Sequence, residues 1–461
     1  MSSNNLSAAA APQETFQSRF FHTFRALKHR NYQYFTAGQI VSLCGTWMQT
    51  VAESWLVYRL TGSAALLGMV GFSSQIPVFL IAPFGGAFAD RANRRRILMM
   101  TQGSAMLLAF GYAFLTLTGR IQVWEIFVIA VLLGLVNAFD IPTRQAFVTD
   151  LVGKEDLINA IALNSSMFNG ARIIGPAIAG ILVAAVGEGW CFFINALSYI
   201  AVLTGLFMIK VESKPRLSNV SIFAGITEGF QYVWHTKPIL SLMALLAVIS
   251  LMGMPYAVLM PVFAKEILHG GASSLGLLMG ASGCGALIGA LSLASRKGIK
   301  GLGSWVAFAS SGFGIAIILF SFSHYFWLSA ALLVPAGFSM MIQMASSNTL
   351  VQSLVPDDLR GRVMAVYSMM FMGMAPFGAL LAGTLAGHIG APFTVAIGGV
   401  VCILGSIGFA LKLPNFRIEA RRVIVALQMT AGEPPHETTV SKDTLLTPQK
   451  AYAQLHESQG S

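Results

Sequence analysis

A few ionisable residues stand inside long apolar runs, and these are the side chains that could do chemistry. Glu53 lies in the run 33–58, near its far end. Gly38, Ser42, Gly45, Gln49 and Glu53 recur at spacings of four, three, four and four, which puts them on one helical face. Such a stripe in an apolar run is expected to face a cavity, and a carboxylate on it could carry a proton. A snorkelling acid near an interface, or a structural hydrogen bond, would give the same pattern. Arg172 lies in the middle of the run 157–186, with Ser165 and Asn169 on its face. An arginine at that depth needs an acid or carbonyl partner, binds an anionic substrate, or forms a packing ion pair. Asp140 and Arg144 flank Pro142 at the end of the run 123–141. They join the coupling and substrate candidates, or Asp140 caps a helical turn that begins near Pro142. Glu125, at the other end of that run, reads as solvated.

The elements that hold these residues follow from composition. Of 461 residues, 55% are hydrophobic and 10% charged, with mean hydropathy +0.69. A soluble domain carries about 25% charged residues, so this is a polytopic membrane protein. Runs of about 20 apolar residues span the hydrocarbon. Twelve are read here: 33–58, 66–89, 97–118, 123–141, 157–186, 190–209, 239–263, 274–294, 303–321, 325–351, 361–387 and 392–413. Residues 1–31 read as an N-terminal segment whose stretch Phe16–Arg30 forms an amphipathic surface helix. Residues 210–238 read as a linker with a second surface helix carrying Ile222, Ile226, Phe230, Val233 and Trp234. Residues 414–461 read as a polar tail, helical over Arg417–Met429 and otherwise disordered.

A net charge of +10 and a pI near 9.6 could point to nucleic acid, but the positions of the charges exclude it. All Lys and Arg except Arg59, Arg120, Lys265 and Arg172 fall on alternate links, span ends and the termini. That is the positive-inside pattern, and it places both termini in the cytoplasm. No cleaved signal peptide is expected, because no apolar core follows the N-terminal residues. Cys44, Cys191, Cys284 and Cys402 each lie in an apolar run and read as packing residues rather than metal or redox pairs. No phosphate loop, nucleophile elbow or metal triad occurs, so the chain is expected to be no enzyme, to use no ATP and to need no cofactor. The second half is rich in methionine, including Met340, Met341, Met344, Met364, Met369, Met370, Met372 and Met374. Thioethers serve ordinary helix packing, and they would also suit a cavity for a bulky amphipathic molecule.

The chain repeats itself. Shifted by 203 residues, Leu151, Val152, Ser165, Met167, Phe168, Gly170, Gly175, Gly180 and Gly187 fall on Leu354, Val355, Ser368, Met370, Phe371, Gly373, Gly378, Gly383 and Gly390. The same shift takes Gly86 to Gly289, ahead of a second basic turn at Arg296 and Lys297. Arg172 falls on Ala375, and Asp140 and Arg144 fall on Gln343 and Ser347, so the architecture alone does not require those charges. The expected fold is therefore an all-α membrane protein, with twelve transmembrane helices in two pseudo-twofold six-helix halves, 32–209 and 239–413. Halves of this kind enclose a site near mid-membrane.

The loop GGAFADRANRRR at 85–96 links two of the runs. Its Gly86, Asp90, Arg91, Arg94 and Arg95 resemble the signature loop of the major facilitator superfamily. Asn93 stands where that pattern has glycine, and Asn tolerates the left-handed turn expected there. Gly86 is expected to let another backbone approach closely. The runs GQIVSLCGTWMQTVAESWLVYRLTGS (38–63), NAFDIPTRQAF (137–147) and NGARIIGPAIAG (169–180) resemble the transmembrane secretion effector branch, related to enterobactin-type siderophore exporters.

The resemblance implies a secondary-active exporter in a bacterial inner membrane. It would move a small organic substrate, a siderophore or amphipathic drug, outward by alternating access, driven by protons. A lysolipid transporter, or a receptor or scaffold of transporter fold, are the alternatives. It also implies that Asp90 latches one state against the inner end of the eleventh span, near Asp358–Arg362. The first and fifth spans would pack together, making Glu53 the nearest partner for Arg172. Gly170, Gly175, Pro176 and Gly180 resemble the fifth-span motif of proton antiporters, although a single Gly180 replaces its glycine pair; they would bend that helix. A monomer is favoured, in contact with the bilayer and without nucleic acid.

Overall fold

The computed structural model describes residues 25–153, 155–211, 222–296, 298–299, 301–357 and 359–430, and their regular structure is helical. The first half comprises α1 (Arg30–Thr61), α2 (Ala64–Arg91), α3 (Arg94–Leu117), α4 (Val123–Val152), α5 (Leu157–Val186) and α6 (Glu188–Met208). The linker helix α7 (Ile222–His235) precedes α8 (Lys237–Val248), which starts the seventh span. Then come α9 (Ala272–Ala294), α10 (Leu302–Ser321), α11 (Phe326–Ser353), α12 (Arg360–Ile389) and α13 (Ala391–Thr430).

Local chemistry sets the breaks. Gly62, at φ 59°, closes α1 in the left-handed region, and Ser63 Oγ caps α2 by accepting from Leu66 N. Gln122 and Glu125 form a capping box that starts α4. Gly187 (φ 89°) and Gly390 (φ 85°) make equivalent turns after α5 and α12, and they are 203 residues apart. Such a φ is strained for any residue with a Cβ, which explains why the repeat keeps glycine here.

All twelve expected spans are helical. Among the described residues, eleven helices are long and apolar enough to cross a membrane; α1 falls short on apolarity. It carries Gln33, Gln39, Thr46, Gln49, Thr50 and Glu53, yet it packs lengthwise on α5 and α6 in the place of a first span. The seventh span departs from a plain helix. After α8 it runs through a π turn (Ile249–Gly253), a 3-10 turn (Met254–Ala257), a short α turn (Met260–Val262) and a second π turn (Phe263–Ile267). Pro255 and Pro261 lack the N–H that a continuous ladder needs, so wider and tighter turns take up the register.

The halves have matching internal adjacencies. In the first, α1 packs on α5 and α6, α2 on α4, and α3 on α4 and α6. In the second, the seventh span packs on α12 and α13, α9 on α11, and α10 on α11 and α13. Two long seams join the halves: α2 against α12, and α5 against α9. Both are glycine seams. A Cβ on Gly68 would stand 2.4 Å from Ala379 O and 2.8 Å from Gly383 Cα; one on Gly276 would stand 2.3 Å from Pro176 O and 2.9 Å from Gly180 Cα. Near mid-bundle, Phe79 packs on Gly373, and Phe72 and Phe79 meet Phe377 edge to face.

All these contacts lie between mid-bundle and the end away from the basic loops. At that end the Tyr58 hydroxyl of α1 donates to the Glu266 carboxylate, and Lys265 Nζ stands 5.4 Å from the Tyr58 ring centroid. At the basic end neither α4 with α12 nor α5 with α11 packs along its counterpart.

The flanking segments bear on the basic end. Helix α7 forms within the linker, as expected, and seats on α12. Gly229 approaches Arg362 O, Tyr232 Oη donates to Leu354 O at 3.1 Å, and Glu228 pairs with Arg362. Phe230 and Trp234 are exposed on it. The expected Phe16–Arg30 helix falls mostly outside the described residues; Arg25–Lys28 is a 3-10 turn. The stretch Arg417–Met429 is helical, as expected, and it forms as a continuation of the twelfth span: α13 runs through Pro414 to Thr430, 40 residues in all. At 1.5 Å per residue that is about 60 Å, twice the hydrocarbon thickness. Phe416 packs on Gly303, and Arg417 donates to Ser304 Oγ at 2.6 Å. The rest of the expected tail, 431–461, lies outside the described residues.

Two predictions follow from the seams and the basic end. Gly276→Leu should force α5 and α9 apart, since backbone atoms cannot yield, at about 1–3 kcal/mol. A cysteine at Ala272 would then react faster with a water-soluble maleimide; an unchanged rate would show that the seam does not need glycine. Asp156, just ahead of α5, takes contacts from Arg25 Nε and His29 Nε2, each at 2.8 Å. The His29 hydrogen bond, opposed by desolvation and aided by Arg25, holds its carboxyl below the usual carboxylate range. The folded value is the lower one, so this tether is complete above about pH 4 and is lost as pH falls through the folded value. Hydrogen exchange at the start of α1 should therefore rise at acid pH in the wild type and show no such step in Asp156→Asn.

Candidate functional site

The polar stripe on α1 does not face a cavity. Gly38 abuts Ala201 O and Val202 Cα of α6, and Gly45 abuts Asn195 and Ser198. Buried Gln49 accepts from Asn195 Nδ2 at 2.6 Å. The expectation is corrected: Gly38, Ser42, Gly45 and Gln49 form the α1–α6 seam. Small residues let the backbones approach and amides bridge them, as in many membrane helix pairs. Glu53 continues the stripe toward α3. It is partly buried and makes no hydrogen bond or ion pair among the described residues. Its charge acts on Tyr112 of α3, whose hydroxyl is itself buried without a hydrogen-bond partner.

Glu53 and Arg172 are not paired. Arg172 instead lies over the Trp47 ring of α1, 5.8 Å from its centroid. Trp47 and Glu53 are six residues apart, which is about 9 Å along α1 and a third of a turn round it. One helix cannot offer both to the same guanidinium.

Asp140 and Arg144 do meet, within an uninterrupted α4 that runs through Pro142. Asp140 is 2% exposed; its Oδ1 accepts from Thr101 Oγ1 at 2.9 Å and Gln102 Nε2 at 2.7 Å, and its Oδ2 lies 3.1 Å from Arg144 NH2. Arg144 NH1 reaches Gln39 Oε1 of α1 at 3.1 Å. The capping role read for Asp140 is therefore replaced by a knot tying α1, α3 and α4. Thr101, Gln102, Gln39 and Asn195 were not singled out by sequence reasoning. The adjacent Thr101–Gln102 pair in an apolar run was the available signal, since such groups need partners in hydrocarbon.

The face of α5 that carries Arg172 points between its two neighbours. On one flank, a Cβ on Gly175 would stand 2.6 Å from Trp47 Cβ; on the other, Gly180 abuts Ala272 O and Ser273 Cα of α9. Between the flanks, Ile161, Ser165 and Phe168 are exposed, Arg172 is half-buried, and Pro176, Ala179 and Val183 are buried. The repeat-related face of α12 closes in the same way: Ser368 is exposed, Phe371 and Ala375 half-buried, and Ala379, Ala382 and Ala386 buried. A crevice thus opens at the basic end between the halves and closes above Arg172. Phe168 meets Trp47 edge to face at 5.6 Å, and buried Asn169 donates from Nδ2 to Ser165 O at 2.8 Å. Gly170 has open space beside it, whereas Gly175, Pro176 and Gly180 serve close packing.

In the basic loop, Arg94 is buried and reaches Asp150 at 2.9 Å, tying α3 to α4. Arg95 donates to Leu206 O at 2.7 Å and Phe207 O at 2.8 Å, closing the end of α6. Arg91 is exposed. Two expectations are corrected here. Asn93 is extended (φ −73°, ψ 106°) and caps α3 through Arg96 N, so no left-handed turn is needed. Gly85 makes the close approach, since a Cβ there would stand 2.3 Å from Ala138 O; one on Gly86 would meet only Pro142 Cβ, at 3.7 Å. The Asp90 side chain and Asp358 lie outside the described positions, and the expected latch lies there with them.

Two matched halves, two dry seams and a crevice open at one end are the geometry of a carrier. Residues 22–442 match the family described as transmembrane secretion effector. The chain belongs to that family of major facilitator transporters. It is similar to the staphyloferrin A transporter of Staphylococcus aureus, 29% identical over 80% of this chain and 94% of that protein. It is also similar to the multidrug efflux pump Tap of Mycolicibacterium fortuitum, 27% identical over 81% and 93%. Its fold matches a solved POT family transporter with TM-score 0.67, 12% identity, and 84% and 96% of the two chains covered. The protein is an integral membrane transporter and not an enzyme.

The buried knot makes a prediction. Asp140→Ala leaves the partly buried Arg144 cation and the buried Thr101 and Gln102 donors without their carboxylate and should lower stability in detergent by about 1–3 kcal/mol. Adding Arg144→Ala should restore part of that loss; a double variant no more stable than the single one would show that the charges do not act as a pair.

Proposed function

We propose that this transporter is a proton-driven exporter of an organic small molecule, a siderophore or an amphipathic drug. It would work by alternating access in a bacterial inner membrane with both termini in the cytoplasm. Glu53 carries this reading. It is an acid among packed helices, with no cation paired to it among the described residues and the unpartnered Tyr112 hydroxyl in its field. Burying a lone carboxylate charge is expensive, and taking up a proton removes that cost. Closing the bundle around Glu53 would therefore be linked to proton binding, and opening it to release. Asp140 is less suited to the task, because Arg144, Thr101 and Gln102 already compensate it.

The two halves supply the motion. The α2–α12 and α5–α9 seams are narrow and built on small residues, so rocking the halves would close the crevice at the basic end and part the other. Parting would break the Tyr58–Glu266 hydrogen bond and move Lys265 off the Tyr58 ring. The positive-inside bias and the similarity to a siderophore transporter and a drug pump support the orientation and the substrate range.

The test is reconstitution in liposomes with an imposed pH gradient and a panel of siderophores, cationic dyes and lysolipids. The gradient should accelerate uphill movement of at least one of the first two classes in the wild type. In Glu53→Gln that acceleration should vanish while downhill exchange persists. Gradient-driven flux at the wild-type rate in Glu53→Gln would exclude Glu53 as the carrier.

A further inference from the structure

We infer that Arg172 is the docking point for an anionic group of the transported molecule, and that the substrate class is an organic anion, a carboxylate or similar oxyanion on a flat apolar body. This rests on the exporter reading above. Accounting for every acid on the elements packed against α5 leads to it. Those elements are α1, α4, α6, α9 and the Arg25–Lys28 turn. Helix α9 and α5 itself carry no acid. Glu188 of α6 is held by Arg59 at 2.7 Å. On α4, Asp140 is held by Arg144, Asp150 by Arg94, and Glu125 accepts from Gln122 N. Asp156, ahead of α5, is held by Arg25 and His29. Glu53 makes no pair with Arg172. Among the described residues, then, the guanidinium has one partner, the Trp47 face.

A cation at this depth without a counter-charge is costly, and a ring face offsets about 2 kcal/mol of that at best. The five N–H donors of the guanidinium are left for a planar anion. Position supports the same assignment. Arg172 sits where the crevice face of α5 passes from exposed to buried, so a molecule entering from the basic end meets it last. The approach is lined by exposed Ser165 and by Phe168, edge to face with Trp47. Those rings suit an apolar or aromatic body attached to the anion. The repeat mate on α12 is the uncharged Ala375, so the charge is one-sided: one anionic end is gripped, and the rest of the molecule lies against apolar surface.

Binding is read without a gradient, on full-length protein in phosphatidylcholine nanodiscs, by fluorescence anisotropy of two dyes with the same ring system. Fluorescein carries the anion; rhodamine 6G carries a positive charge and an esterified carboxylate. The wild type should bind fluorescein more tightly, and Arg172→Gln should weaken it by about 10- to 100-fold, the range of a charge-assisted contact, while leaving rhodamine 6G unchanged. Arg172→Lys should restore part of the fluorescein affinity. Equal binding of both dyes by the wild type, or a preference for rhodamine 6G, overturns the assignment. If Arg172→Gln loses both dyes, selective rescue of fluorescein by Arg172→Lys supports it, and failure of that rescue overturns it. Loss of fluorescein binding when phosphatidylglycerol replaces part of the phosphatidylcholine would mean that the site holds a lipid headgroup, and also overturns it. Fluorescein binding without gradient-driven flux sinks the exporter reading alone. Gradient-driven flux of rhodamine 6G without fluorescein binding sinks the anion assignment alone.

Discussion

The rest of the structure depends on backbone-to-backbone approach at the glycine seams between the halves. Lipid tails are as apolar as leucine, so no hydrophobic force holds two membrane halves together. Cohesion has to come from contact, and contact at this distance needs residues without side chains. Gly68 against Gly383, and Gly180 against Gly276, supply it. Such seams are dry and carry few polar bonds across them, so they can part without leaving buried polar groups unsatisfied. The one bond described across the outer end joins buried Tyr58 to exposed Glu266, whose carboxylate can exchange it for solvent.

Within each half the opposite rule holds. Helices that must stay together are joined by polar side chains buried in hydrocarbon. The Asp140–Arg144 knot ties α1, α3 and α4; Gln49 and Asn195 tie α1 to α6; Arg94 and Arg95 tie the start of α3 to α4 and α6. Unmaking any of these exposes a charge or amide to low dielectric, so each half moves as a body. The basic loop acts in large part as this kind of fastening. Its Arg94 and Arg95 reach other helices of the same half, whatever part Asp90 plays between halves.

Against that background Glu53 and Arg172 stand apart. Every other acid on the helices around α5 has a protein partner, and among the described residues these two lack an opposite charge. A fold that compensates its structural charges so fully leaves the uncompensated ones as places for mobile species. A proton suits the acid; an anion suits the base. Their separation on α1 and α5 keeps them from cancelling each other.

The sequence by itself determined the spans, the division into halves and the orientation of charge. Those features follow from composition and period: apolar runs of bilayer length, a 203-residue repeat, and basic residues on alternate links. It also marked Glu53, Arg172, Asp140 and Arg144, because any charge in such a run is out of place. Only the tertiary structure decided what each one touches. A stripe at helical spacing says that residues share a face, but not whether the face meets water or another helix; the Gly38–Gln49 stripe met α6. A charge in a run says that a partner is needed, but not whether the partner is a charge: Asp140 found Arg144 four positions along its own helix, and Arg172 found, among the described residues, only the ring of Trp47. Partners set by helix rotation and depth are a property of three-dimensional register, which period along one chain does not encode.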